Sequence, residues 1–367
     1  MRANARVIVV GAGPSGATAA CLLARAGIEV LLLEKRSFPR DKLCGGYLAA
    51  RTIGLLEELH GSALPAGLYH DTRDAFAIHH AGEAIVQREL GGRMAFVQRR
   101  ELDHFLVRQA VSAGAVLQER CEVESITAVG GAVEVRAKDG TVHRADWVIA
   151  ADGALSRLRR CLAPGEGGHQ TALELSIPSE RTDPARLDFG LFPWGYAWDF
   201  PKRGMRMVGV CGPPQRTGEQ KALLEAYRLR LGLPRAKVDG WPLPDRPIRR
   251  LARGRVLFVG DAGGLCEPIS GEGIYYALRS GERAASALLA DGLGQDPRPE
   301  ARVAATYTHS MAFVMRQIRF SLLFRPLFHR PGFQRRMLQA LVHLPELKDI
   351  EWTDVARVAL RVGILGR

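Results

Sequence analysis

The chain has 367 residues, 47% of them hydrophobic, 25% charged and 7% aromatic, a composition that can bury a substantial core and excludes a disordered tail. At ~100 to 200 residues per domain, the length implies two or three structural units. Lys and Arg number 51 against 39 Asp and Glu, a formal charge of +12, which admits nucleic acid, an anionic cofactor or a membrane surface as partner.

Residues 7–24 carry no charge and follow Arg2 and Arg6, the outline of a signal peptide or membrane helix. Glycines break that outline. A β-branched run ending at Val10 meets the cluster Gly11, Gly13, Pro14, Ser15 and Gly16, then an Ala-rich segment to Ala26 and a second apolar run from Val30 to Leu33 that ends in Glu34. The pattern is strand, tight turn, helix, strand and acid, the fingerprint of a dinucleotide site. Gly11 permits the turn, Gly13 lets backbone N–H groups approach a pyrophosphate, and Gly16 lets the helix pack on the strand. The helix N-terminus faces the phosphates with its partial positive charge, and Glu34 accepts ribose hydroxyls. The fingerprint alone serves NAD and FAD equally.

Further along, Arg99 and Arg100 open the segment to Leu106, with Asp103 in its predicted first turn. Residues 121–146 alternate and contain Gly130-Gly131 and Asp139-Gly140, which predicts an antiparallel meander inserted into the sheet. A buried strand then ends at Asp152-Gly153 before a helix start. A second strand-to-turn passage runs from Gly254 through Gly260-Asp261 to Gly264, and residues 267–274, with Gly271, Gly273 and Ile274, lead into an Ala-rich helix. Residues 294–299 read as a linker turn. Between 301 and 345 lie seven arginines, no lysine and no acid, interspersed with Phe and Leu and predicted to be helical, broken at Pro326 and Pro331. The region suits either a helical cap or a segment lying on a membrane surface.

The cysteines, Cys21, Cys44, Cys121, Cys161, Cys211 and Cys266, are widely spaced without a CxxC pair or zinc-ligand spacing, which argues against structural zinc and a disulfide scaffold. No nucleic-acid recognition module accompanies the basic surplus.

Asp152-Gly153 and Gly260-Asp261, with Glu34 and the N-terminal fingerprint, resemble the DG and GD motifs of the FAD-dependent aromatic-hydroxylase fold, shared by hydroxylases, flavin halogenases and geranylgeranyl reductases. The segment Phe38 to Gly46, ending Cys44-Gly45-Gly46, is similar to the CGG segment of the geranylgeranyl reductases. The stretch 195–202, containing Tyr196, Trp198 and Phe200, resembles their YxWxFPK motif. Halogenases carry WxWxIP there. The resemblance implies an α/β fold: a Rossmann-like FAD-binding domain (1–70, 95–168 and 245–298), an antiparallel-sheet substrate domain (71–94 and 169–244) and a helical C-terminal region (299–367). It implies FAD bound by Gly11, Gly13, Pro14, Ser15, Gly16, Glu34, Lys35, Arg40, Cys44, Gly45, Arg99, Asp152, Gly260, Asp261, Gly271, Gly273 and Ile274, with Asp261 on the ribityl chain. Arg99 or Arg100 is alternatively a solvated first-turn residue.

Cys44, Tyr196 and Trp198 are the implied catalytic-face residues, with a small buried thiol and two core aromatics as the alternative reading. Asp199, on the other face of the strand, is expected to be structural. The implied reaction is hydride transfer from reduced FAD to a C=C bond of a prenyl or other apolar lipid-like substrate, completed by a proton donor. His79, His80 and Tyr47 are candidates for the donor, each alternatively structural or solvated. The reductant is external: NAD(P)H, reduced flavin or an electron-transfer protein. The expected location is cytoplasmic, with peripheral membrane contact through 301–345 as an alternative. The rival functions are an FAD-dependent monooxygenase or halogenase on an apolar or aromatic small molecule, and a non-catalytic FAD sensor.

Overall fold

The computed structural model describes residues 4–61, 64–65, 67–181, 183–294, 298–344 and 351–361. β1 (Asn4–Val10), α1 (Pro14–Arg25) and β2 (Val30–Leu33) form the expected parallel unit, with Val7 opposite Val30. β2 is buried throughout, as parallel strands covered on both faces are. β3 (Tyr47–Leu48) and α2 (Ala50–His60) precede a long hairpin of β4 (Tyr69–His80) and β5 (Glu83–Val97). α3 (Arg99–Ser112) returns the chain to the first sheet, where β6 (Val116–Gln118) pairs with β2. β7 (Val123–Val129), β8 (Ala132–Ala137) and β9 (Val142–Ala150) are the meander expected from the two glycine turns. β9 then runs parallel to β1.

After α4 (Arg157–Leu162) come β10 (Gly168–Pro178), β11 (Ala185–Phe189), β12 (Tyr196–Lys202) and β13 (Met205–Gly212). α5 (Thr217–Arg230), β14 (Val238–Arg246), β15 (Ala252–Arg253) and β16 (Val256–Phe258) follow. The chain ends in helices α6 (Ile274–Ala287), α7 (Glu300–Ser310), α8 (Ala312–Phe328), α9 (Pro331–Ala340) and α10 (Trp352–Arg361).

Two sheets result. The first has strand order β15-β16-β9-β1-β2-β6, with β7 and β8 attached through β9. The second has order β14-β10-β13-β12-β11-β4-β5-β3 and is antiparallel except where β11 meets β4. β3 thus pairs into the second sheet although its residues fall within 1–70. One face of the second sheet presents Tyr196, Trp198 and Phe200 to a core completed by Phe328 of α8, Leu338 of α9 and Trp352 of α10. The other face presents Ala197, Val208 and Val210 to α5. β12 is buried along its whole length because both faces are covered.

The C-terminal region corrects one expectation. Pro326 does not break a helix; it lies inside α8, which ends two residues later at Phe328. A proline this close to a helix C-terminus costs one backbone hydrogen bond at an end that frays in any case. The break falls before Pro331, which takes the first position of α9, where no N–H is needed. Of the expected linker turn, residues 295–297 lie outside the described residues.

Candidate functional site

The β1–α1 turn forms one wall of a cavity of about 360 Å³. Gly11 has φ +100, and a Cβ there would overlap the Ala151 carbonyl. A Cβ on Gly16 would overlap the carbonyl of Gly11, so the helix approaches the end of β1 this closely only because Gly16 lacks a side chain. α1 is capped by Gly13 with no side-chain hydrogen bond and has Pro14 in its first turn. Its first N–H groups therefore have no side-chain cap to occupy them, and Gly13, Pro14 and Ser15 line the cavity. Such a cradle fits a pyrophosphate.

Glu34 stands at the end of β2, accepting the N–H groups of Ala12 and Arg36 at 3.1 Å each, with Arg40 at 3.4 Å. Arg40 also reaches Asp103 at 3.0 Å, and Arg99 donates two bonds to the same carboxylate at 2.7 and 2.8 Å. Asp103 is fully buried and Arg99 nearly so. Burial opposes the Arg99 charge, but Asp103 outweighs it and holds the guanidinium firmly protonated. Arg99 is thus the first residue of α3 and a buried ion-pair member in the cavity wall, which rules out the solvated alternative for it. Arg100 is the exposed neighbour, paired at 3.3 Å with Asp41.

Lys35, Asp152, Asp261, Gly271, Gly273 and Ile274 line the same cavity. The Asp152 carboxylate is engaged by the Ser156 hydroxyl and by the N–H groups of Arg157 and Leu158, so it caps α4. Asp261 lies 3.5 Å from Lys42. Gly16 and Gly260 stand behind the wall rather than in it: a Cβ on Gly260 would press on Ser15 Oγ at 2.7 Å. Sequence reasoning missed Arg159, whose guanidinium donates to the carbonyls of Ala154, Asp261 and Ala262 and ties the two turns together.

A second cavity of about 180 Å³ lies between the second sheet and the C-terminal helices. Tyr196, Trp198 and Phe200 line it together, as their alternation along β12 requires. Phe76, Phe189, Leu338, Leu341 and Trp352 complete an apolar wall. The two cavities share Leu43, Cys44, Trp241, Leu243, Gly271, Gly273 and Ile274. Cys44 stands at their junction, and Gly45 lies on the apolar side. A Cβ on Gly45 would come within 2.8 Å of Phe200 and 3.5 Å of the Trp198 indole nitrogen, so the turn approaches β12 closely. Burial lifts the Tyr196 phenol well above its ordinary range. Tyr47 lines the apolar cavity, whereas His79 and His80, on β4, line neither cavity. Asp199 is buried and pairs with Arg206 at 2.5 Å, the structural role expected of it.

Three further residues had no assignment from sequence. Trp241 lines both cavities, and its indole N–H has no hydrogen-bond partner among the described residues. Lys202 is buried and donates to the Cys44 carbonyl at 3.1 Å. Glu174 of β10 is 1% exposed and accepts the Trp198 indole N–H at 3.2 Å, while its second oxygen, Oε1, has no partner among the described residues. Burial raises the Glu174 carboxyl to about 7, against the opposing pull of Lys202 and the indole bond. The signal for this arrangement is Gly209. It is the register partner of both Glu174 and Trp198, and a Cβ there would overlap the Trp198 ring. Glycine inside a strand marks close approach, here of an indole crossing β13 to reach β10.

The FAD binding domain family matches residues 4–208. Digeranylgeranylglycerophospholipid reductase 1 of Methanopyrus kandleri is 32% identical over 322 residues, 79% of this chain and 81% of that protein. Geranylgeranyl diphosphate reductase of Synechocystis sp. is 30% identical over 326 residues, 78% of this chain and 75% of that one. The chain spans about two thirds of the length of the chloroplastic plant reductases it also matches. Among solved structures, a geranylgeranyl bacteriochlorophyll reductase-like protein of Thermoplasma acidophilum superposes with a TM-score of 0.84 at 20% identity, covering 99% of this chain and 96% of that one. The cradle at Gly11–Gly16 fits FAD sterically and electrostatically, and the chain belongs to the geranylgeranyl reductase family of FAD-dependent oxidoreductases.

Proposed function

We propose that this chain reduces carbon–carbon double bonds in the prenyl tail of a lipid. The observation that supports this reading is the apolar, aromatic-walled cavity opening at Cys44 onto the dinucleotide cradle. A prenyl chain offers apolar surface and few hydrogen-bonding groups, so it is selected by desolvation and shape rather than by polar contacts. FAD, when bound and reduced, supplies the hydride. The chain's own residues do the rest. The α1 N-terminus and Arg40 hold the pyrophosphate, Glu34 the adenosine ribose, and Asp261 the ribityl chain, while Arg159 fixes the turn that bears Asp261. Tyr196, Trp198 and Phe200 press the substrate towards Cys44 and Gly45 and keep water out. On this reading 1–70, 95–168 and 245–298 form the FAD-binding part, 71–94 and 169–244 the substrate part, and 299–367 the cap. Electrons enter from an external reductant, a nicotinamide, free reduced flavin or an electron-transfer protein. Incubation of the reduced protein with a geranylgeranyl lipid under nitrogen tests this: the product gains two hydrogens per double bond, and a product that instead gains oxygen, formed only in air, would overturn the reading in favour of a monooxygenase.

The C-terminal helices supply a second contact on this reading. Most of their apolar residues face inward, but Phe313, Leu323 and Leu327 are exposed on one stripe of α8 beside Arg316 and Arg319. This surface meets the anionic membrane that holds the lipid substrate, lying on the bilayer rather than crossing it. No helix among the described residues is long and apolar enough to cross.

A further inference from the structure

Saturating a C=C bond adds a hydride to one carbon and a proton to the other, so the reduction needs a proton donor within reach of the substrate. The described residues lining it include two carboxyl groups. Glu272 is ion-paired to Arg51 and accepts the Thr52 hydroxyl. Glu174 is not committed in this way: one oxygen accepts the Trp198 indole N–H and the other is buried without a partner among the described residues. The other acidic candidates are poorer. Tyr47 lines the cavity with its ring packed among Phe76, Phe96 and Phe200, and a phenol is a much weaker acid than a carboxyl; the Tyr196 phenol is pushed further from proton release by burial, and His79 and His80 are outside both cavities. Glu174 lies one indole away from Gly45, since the same Trp198 nitrogen that donates to it sits within 3.5 Å of where a Gly45 Cβ would stand. That places it beside the junction of the two cavities.

We propose that Glu174 is the general acid of the reduction, a reading that rests on the function proposed above. The hydride and its electron pair arrive from the reduced flavin, itself recharged by the external reductant, and form one C–H bond. The π pair takes the proton from the Glu174 carboxyl to form the other. The O–H bond of the acid breaks, its pair stays on oxygen, and the resulting carboxylate is stabilised by the Trp198 N–H and by the nearby ammonium of Lys202 until solvent returns a proton. The groups acting on Glu174 are Lys202 and Trp198 from β12 and Asp239, its exposed register partner, from β14. Lys202 and Trp198 favour the anion; Asp239 and burial favour the acid. The balance leaves the carboxyl protonated up to about pH 7, where a general acid is most effective.

The test uses the FAD-loaded full chain and a geranylgeranyl phospholipid, with single-turnover reduction followed under nitrogen. Glu174→Gln is expected to slow saturation by ~100-fold or more while lipid binding and FAD retention stay unchanged, and Glu174→Asp to restore part of the rate. Wild-type single-turnover rates are expected to fall above about pH 7, the midpoint of the carboxyl. A readout independent of turnover is infrared difference spectroscopy of the oxidised protein without substrate, in which a protonated-carboxyl band titrates near neutrality and is missing in Glu174→Gln. A wild type that saturates the lipid with a flat pH profile, a Glu174→Gln variant of undiminished rate, or the absence of the titrating band overturns the assignment and leaves the proposed function standing. A wild type that saturates no prenyl substrate overturns the function, and the assignment with it.

Discussion

The two cavities are built from different materials. The dinucleotide cavity is shaped by backbone: Gly11 and Gly16 clear space, the α1 N-terminus faces the opening, and one acid, Glu34, stands at the end of β2. The apolar cavity is lined by side chains from β4, β10, β11, β12 and β14 and from three C-terminal segments, among others. Local backbone geometry is written in short motifs. A wall assembled from scattered elements depends on register, on crossing helices and on single glycines far away in sequence. The contrast also divides the consequences of damage: a change in the first cavity strikes FAD, and a change in the second strikes packing and substrate.

The largest test of this division is Phe200→Ala, which empties a buried aromatic position facing Phe96, Phe76 and Tyr47. It is expected to cost ~3 to 5 kcal/mol in denaturant unfolding, with FAD still retained by the folded fraction. Gly11→Ala should do the reverse, because it combines an unfavourable φ with overlap on the Ala151 carbonyl. A loss of about 3 kcal/mol, roughly 100-fold in FAD affinity, is expected from equilibrium titration.

The same division governs pH. Glu174, in the substrate half, has its folded value raised to about 7 from 4.5. The folded chain then holds a proton that the unfolded chain has released, so the contribution of Glu174 to stability is complete below about 4.5 and is lost as pH rises through 7, by up to ~3 kcal/mol. His60 in α2 is hydrogen-bonded to Thr18 of α1 and lowered to about 4 from 6.5, by burial first and then by Arg25. Its contribution has the opposite sign: it is complete above 6.5 and lost as pH falls towards 4. The two windows overlap, so the opposing contributions largely cancel in the wild type, whereas melting temperatures of Glu174→Gln should climb clearly from pH 4 to 6.5, the His60 contribution being left uncompensated. The smallest effect is expected at α8. Leu323→Ser should leave stability within ~0.5 kcal/mol yet weaken sedimentation with vesicles rich in anionic lipid, and undiminished binding would remove the membrane contact.

What could be read from the chain follows the same line. Gly11, Gly13 and Glu34 were legible because turn chemistry and a helix N-terminus act within a few residues. Tyr196 and Trp198 were legible as a shared face, since alternation fixes it. Asp152 was placed beside the cofactor, but its carboxylate is spent on capping α4, a use that sequence order does not distinguish. Pro326 was read as a break because the position of a proline within a helix is invisible until the helix end is known. Glu174 was silent, since a lone acid in an alternating strand ordinarily faces water. Its burial depends on α9 and α10 covering that face and on Gly209 letting Trp198 cross.

On the proposed function, the cradle delivers electrons to an apolar C=C held at Cys44 and Gly45. The most direct measurement of that transfer is the flavin absorbance of reduced protein mixed with a geranylgeranyl phospholipid in oxygen-free buffer. Oxidised flavin should return in step with one saturated double bond per FAD. A flavin that stays reduced until oxygen is admitted, with the lipid unchanged, would contradict the account.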